Sequence, residues 1–124
     1  MTWTPAQLAT IADAEEIQIS SHRPDGTLRP FVIIWAVASG DGVFVRSAYG
    51  RGNGWYRRAL TSGTGRIRTG GLESDVTFVQ PDLDDQPGVD AAYLAKYARF
   101  TSIVKGIVGP ELYDVTLQLV PVSG

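Results

Sequence analysis

The sequence predicts an α+β domain built on a small antiparallel β-barrel, and three observations carry that prediction. Short alternating or β-branched segments recur as far as residue 79, separated by Pro-Asp-Gly, Asp-Gly and Gly-Gly turn signals. One longer helical pattern stands late, with Tyr93, Tyr97, Phe100, Val104 and Ile107 at steps of three and four. A last alternating segment follows it. Hairpins with one substantial helix before the final strand fit a small barrel, and an open sheet stays possible because periodicity does not show closure. The 124 residues read as one domain over 1–124, long enough to bury roughly two-thirds of the surface exposed on unfolding.

Each element has a local reason. Thr4-Pro5-Ala6-Gln7 offers a cap, a proline at the first helical position and a capping-box partner, with Trp3 and Leu8 as a hydrophobic staple. A short helix over 5–13 follows. Glu16–Ser20 alternates as a half-buried strand, and Arg23-Pro24-Asp25-Gly26 is hairpin-turn chemistry. Phe31–Val37 is apolar on both faces and reads as a central strand. Asp41-Gly42 turns the chain into a strand over 43–46. A glycine-rich stretch leads to a short helix over 55–60, and strands over 66–68 and 75–79 flank Gly70-Gly71. Pro81–Gly88 is an acidic loop, 89–108 a helix, and 113–120 the closing strand.

The most informative chemistry lies between Arg46 and Arg68, which hold six arginines and no acid in a chain of formal charge −2. The run interleaves Arg51, Arg57 and Arg58 with Gly50, Gly52, Gly54 and the pair Trp55-Tyr56. Guanidinium forks and open backbone beside flat aromatic faces suit a phosphorylated, planar ligand. The plainer reading is a solvated face whose arginines balance carboxylates elsewhere. Ser47, just after a strand, is placed to meet a phosphate. A second cluster, His22-Arg23 with Arg29, sits on the two arms of the first hairpin.

Several chemistries are excluded or disfavoured. The chain has no cysteine, so disulfides, thiolate metal sites and cysteine nucleophiles are absent. There is no Walker pattern and no G-x-S-x-G. Asp82, Asp84 and Asp85 lack the terminal glutamate of a calcium loop, and a lone His22 makes no metal cage. The N-terminus lacks signal-peptide order, and no apolar run reaches the roughly 18–20 residues of a membrane span. A cytoplasmic protein with neither a membrane nor a nucleic-acid partner is expected. The pI near 5.2 weighs against general phosphate-backbone binding by the arginine and aromatic segment.

Three stretches resemble one family. Ser21–Pro30, S-x-R-P-D-G-x-x-R-P, is similar to the first hairpin of the FMN-binding split-barrel superfamily, the pyridoxamine-phosphate-oxidase-like proteins. Val45–Gly50 followed by Trp55-Tyr56 resembles the deazaflavin-dependent nitroreductase branch, and Ala91–Tyr97 resembles its late helix. The matches span about residues 16–120, and the chain looks closest to an uncharacterised domain family in that superfamily. Arg57-Arg58 stands where that branch has His-Asn.

The resemblance implies a split barrel of six strands, a homodimer, and FMN or an 8-hydroxy-5-deazaflavin coenzyme at the subunit interface. Position by position, it implies that Ser47 and Arg51 hold the cofactor phosphate. Arg23 and Arg29 face phosphate or an acidic tail, Ile34 and Trp35 flank the ring, and Trp55 closes the site. Arg58 is counted with these as cofactor-binding. The implied function is hydride transfer to or from a small organic substrate, with Tyr93, Tyr97 and His22 as candidate proton donors. The rival reading is a non-redox split barrel that holds haem or another apolar ligand.

Overall fold

The computed structural model describes residues 2–48 and 50–122. Helix α1 (Pro5–Asp13) begins with the reciprocal cap its sequence predicts. Thr4 Oγ1 accepts the Gln7 N–H at 3.2 Å, and Gln7 Oε1 accepts the Thr4 N–H at 2.9 Å. Trp3 is buried in front of the cap, and its indole N–H donates to Leu119 O at 2.9 Å. That bond ties the helix start to the end of the chain.

The strands are β1 (Ile17–Ser21), β2 (Val32–Ile34), β3 (Val37–Ser39), β4 (Gly42–Arg46), β5 (Thr64–Thr69), β6 (Leu72–Val79) and β7 (Thr116–Pro121). Among the described residues these seven form one sheet in the order β2-β1-β5-β6-β7-β4-β3, and every pairing is antiparallel. The two outermost strands, β2 and β3, belong to one run of chain joined through Trp35 and Ala36. The sheet curls until its edges come together at that crossing. Chain continuity, rather than a further ladder, joins them, which makes a split barrel.

This corrects the expected central strand over 31–37. The run instead supplies both edges, with Ile33 60% exposed. Its apolar character serves the crossing and a neighbouring chamber, not burial on both sheet faces. The six implied strands become seven for the same reason, because one strand breaks at Trp35-Ala36.

Helix α2 (Gly54–Ser62) precedes β5, and α3 (Gln86–Lys96) and α4 (Thr101–Val104) follow β6. The single helix expected over 89–108 is therefore broken. Tyr97 leaves helical geometry at φ −110° and ψ 28°, and Lys105–Ile107 is a 3-10 turn. The periodicity survives the break because both pieces bury the same side. Val89, Tyr93, Tyr97, Val104 and Ile107 pack with Val37 and Phe44 in one cluster. Smaller differences follow the same pattern of right feature and shifted edge. The hairpin after β3 turns at Gly40-Asp41, with Ser39 opposite Gly42. The acidic loop tightens into a 3-10 turn at Leu83–Asp85, and a 3-10 segment, Pro110–Val115, precedes β7.

A second cluster fills the barrel, with Ile17, Ile19, Val45, Ile67, Leu117 and Leu119 among its buried residues. Tyr56 and Ala59 of α2 pack into it, and Tyr56 donates its hydroxyl to Asp114 O at 2.9 Å. Between β5 and β6 the Gly70-Gly71 turn takes φ of +51° and +85°, the left-handed pair a tight hairpin requires. None of the described helices is long and apolar enough to cross a membrane.

Candidate functional site

The first hairpin and the second half of α2 face each other across a cleft of about 720 Å³. Its walls carry His22, Arg23, Arg29, Arg57 and Arg58, with Thr61 and Thr64. None of the described carboxylates lines it. The hairpin is held by Arg23 N–H to Thr27 O at 2.7 Å and Arg29 N–H to Ser21 O at 3.0 Å. Arg23 also folds its guanidinium back onto Leu28 O at 2.9 Å. Across the cleft, α2 ends at Gly63, whose φ of +72° closes the helix. His22 Nδ1 lies 3.0 Å from Thr64 Oγ1, which joins the two walls.

Arg29 and Arg58 continue inward to a slot of about 10 Å³, shared with Ser20, Ser21, Trp55 and Phe78. Ser20 Oγ donates to Arg29 O at 2.5 Å and pins its backbone. The Arg29 Nε is buried without a hydrogen-bond partner among the described residues. A buried guanidinium N–H left unpaired costs on the order of 1–3 kcal/mol, so the slot favours an acceptor oxygen.

Trp55 then forms part of a third hollow, about 410 Å³ in volume. Its other walls are mainly apolar, from Ile33, Ile34, Trp35, Ile103 and Ile107, with Arg46, Asn53 and the Glu16 carboxylate as its polar groups. The three hollows share walls, Arg29 and Arg58 at the first junction and Trp55 at the second. The first hollow is cationic, the slot beside it is about 10 Å³, and the third is mainly apolar with Glu16 and Arg46 in its wall.

The sequence-selected residues divide across this arrangement. Arg23, Arg29 and Arg58 meet in the basic cleft, joined by His22 and by Arg57, which faces it from the same helix. Ile34, Trp35 and Trp55 meet in the apolar chamber. Ser47 and Arg51 stand apart. Ser47 is buried and its hydroxyl donates to Gly50 O at 2.6 Å. Arg51 pairs with Asp114 at 3.1 Å, both side chains well exposed.

The other arginines of the run are structural. Arg46 is 2% exposed and bonds Asp90, Gln86, Thr116 and Ile107 O. Arg66 pairs with Asp75 and Glu73 on the sheet surface. Arg68 bonds Gln18 and lies over the Phe31 ring at 3.9 Å.

Tyr93 and Tyr97 belong to the cluster with Val37 and Phe44. Tyr93 is fully buried with its hydroxyl unpartnered among the described residues, and burial raises its pKa far above the ordinary value. Burial, with a smaller push from Glu16, raises Tyr97 to about 12 against the effect of its bond to Ala36. Sequence reasoning missed Lys96, which is half buried on Ile11 O and Ala36 O. Its signal was a lone lysine set between Tyr93 and Tyr97 on an otherwise apolar stretch.

Solved structures share this architecture at low identity. HutZ, the heme storage protein from Vibrio cholerae, superposes with a TM-score of 0.64 at 14% identity, covering 100% of this chain and 93% of that one. An F420-H2 dependent reductase, FDR-A, gives 0.63 at 12% identity, covering 86% and 93%. A chain described as a domain-swapped dimer gives 0.65 at 11% identity, covering 86% and 81%. At these identities the likeness is one of fold, and it places this chain among the split barrels. No curated protein matches it in sequence. A family model does match, over residues 7–119 and so nearly end to end: the chain belongs to the family described as uncharacterized proteins conserved in bacteria, DUF2255.

Proposed function

We propose that this protein binds a planar, phosphate-bearing redox cofactor, FMN or a deazaflavin, and works as an oxidoreductase on a small organic substrate. One observation carries the reading: a basic cleft that holds Arg29 and Arg58 and a mainly apolar chamber walled by Ile34, Trp35 and Trp55 lie on either side of a slot of about 10 Å³ lined by Arg29, Arg58 and Trp55. An anionic tail and a flat ring need those two environments in that order. The donor set fits such a group, since the basic cleft has four guanidiniums and, among the described residues, no lining carboxylate.

In this reading Arg29 and Arg58 hold the phosphate at the throat, with Arg23 and Arg57 adding charge from either wall. Trp55 bounds the passage, and Ile34 and Trp35 give the ring an apolar surface. When bound, the cofactor supplies hydride transfer, which no side chain of this protein provides. The protein's own contribution is to bind, orient and exclude water. The raised tyrosines are reluctant proton donors, and His22 lies in the basic cleft rather than the chamber, so proton delivery falls to water or substrate. The FDR-A likeness leans toward a deazaflavin. We further propose a homodimer, because Ile33 and Ile103, 60% and 62% exposed, leave an apolar rim beside the chamber. The domain-swapped neighbour is in keeping with that.

Haem storage is the weaker reading. An apolar ligand in the chamber would have no histidine beside it, because His22 lines only the other end.

The phosphate assignment is tested by measuring FMN and deazaflavin affinity in two pairs of variants. Arg29→Ala and Arg58→Ala should each weaken binding about tenfold to a hundredfold, the usual effect of a lost charged hydrogen bond. Ser47→Ala and Arg51→Ala should change it less than threefold. The reverse pattern would move the phosphate to the 47–51 loop.

A further inference from the structure

The chain turns from one sheet edge to the other at Trp35 and Ala36, between β2 and β3. Ala36 is fully buried, so its amide groups need partners inside the protein. Its N–H donates to Tyr97 Oη at 3.2 Å. Its carbonyl lies 2.5 Å from Lys96 Nζ and 3.1 Å from Tyr97 Oη. Tyr97 has a single hydroxyl proton, and Glu15 O is nearer, at 2.7 Å. That proton goes to Glu15 O, which leaves Lys96 as donor to the Ala36 carbonyl.

The same ammonium donates to Ile11 O at 3.0 Å, in the last turn of α1, where a helix favours a cation. The Tyr97 ring meanwhile stacks on Trp35, with centroids 3.8 Å apart and planes 4° from parallel. Two consecutive residues thus hold the backbone of the crossing, the end of α1 and the indole of the chamber wall.

We infer that Lys96 and Tyr97 are positioning residues for the apolar chamber: they lock the Trp35-Ala36 turn against α1 and thereby set where Trp35 stands in the wall. The consequence for binding rests on the cofactor reading above, but the placement of Trp35 does not.

The lock is sensitive to pH. Burial lowers Lys96 to about 8, against an opposing pull from Asp13. Glu15 is engaged with Arg99, and Glu16 acts on Tyr97 from the chamber side. As pH rises through about 8, the ammonium becomes an amine that donates without charge assistance. The sign for global stability is opposite. A lysine depressed in the folded state adds stability as pH climbs from its folded value toward its unfolded value. A Trp35 signal that changes near pH 8 therefore reports local release, not unfolding.

The test is near-UV circular dichroism of the ligand-free protein between about pH 6.5 and 9.5, taken as the difference from the matching Trp35→Phe protein. Wild type should titrate with a midpoint near 8. Lys96→Arg, permanently charged, should keep the neutral-pH signal throughout, and Lys96→Met should show the high-pH signal throughout. FMN affinity should fall about tenfold in Lys96→Met and recover in Lys96→Arg. A Trp35 signal that is flat with pH and identical in Lys96→Met overturns the inference. FMN that fails to bind wild type overturns the cofactor reading, and the Trp35 titration still decides this one.

Discussion

Arg46 opens the basic run, yet it faces the protein's own acceptors. It is 2% exposed, 2.5 Å from Asp90 and 2.8 Å from Gln86 Oε1, and its guanidinium lies 5.6 Å and 5.5 Å from the Tyr93 and Tyr113 rings. Removing one partner of a buried pair leaves the other desolvated and unpaired, which costs about 3–5 kcal/mol. Arg46→Met should lose about that much stability in urea denaturation. Burial alone would raise the Asp90 carboxyl, but Arg46, the Gly109 N–H and the Tyr113 hydroxyl outweigh it and hold it below the ordinary value. The stability this contributes is present above an unfolded value near 3.9 and is lost as pH falls through the lower folded value. Acid titration of stability should steepen below about pH 4, and Asp90→Asn should flatten that limb.

Among the elements, the β1–β5 pairing brings the two walls of the basic cleft together. Gly65, opposite Ser21, leaves no room for a side chain, because a Cβ there would overlap Ser20 O and press on the Phe78 ring at 2.8 Å. Gly65→Ala should cost about 3 kcal/mol or more, read as a lowered melting temperature, and should weaken anion binding in the cleft. Most elements were legible because their causes are local. The Thr4–Gln7 capping box and the Gly70-Gly71 turn each need only their own neighbours. The crossing at Trp35-Ala36 was not, since its partners Lys96 and Tyr97 come from elsewhere in the chain. Apolar periodicity reported which side of 89–108 is buried, but not that Tyr97 ends the helix to reach Ala36. The same limit governed the site. Arg23, Arg29 and Arg58, which the fold brings to one cleft, stood out in the sequence because hairpin arms and a glycine-rich run announce themselves. Which guanidiniums converge depends on strand pairing, and Arg46, Arg66 and Arg68 found internal partners instead.

At the scale of the whole molecule, the charge is sorted in space. The chain is net acidic at −2, while one cleft gathers four arginines with no carboxylate among its described lining residues, and a mainly apolar chamber lies elsewhere on the molecule. Binding that depends on that cleft should weaken as salt rises, because exposed guanidiniums are screened over about 10 Å at 0.1 M. The central claim is that cleft, throat and chamber hold one cofactor. The most direct measurement is a titration of the purified protein with FMN, a deazaflavin coenzyme and haem, followed by absorbance and fluorescence. The account predicts saturable, salt-weakened binding of FMN or the deazaflavin, with one site per chain and quenching of tryptophan emission by the ring. Binding of haem alone, or of none of the three, would contradict it.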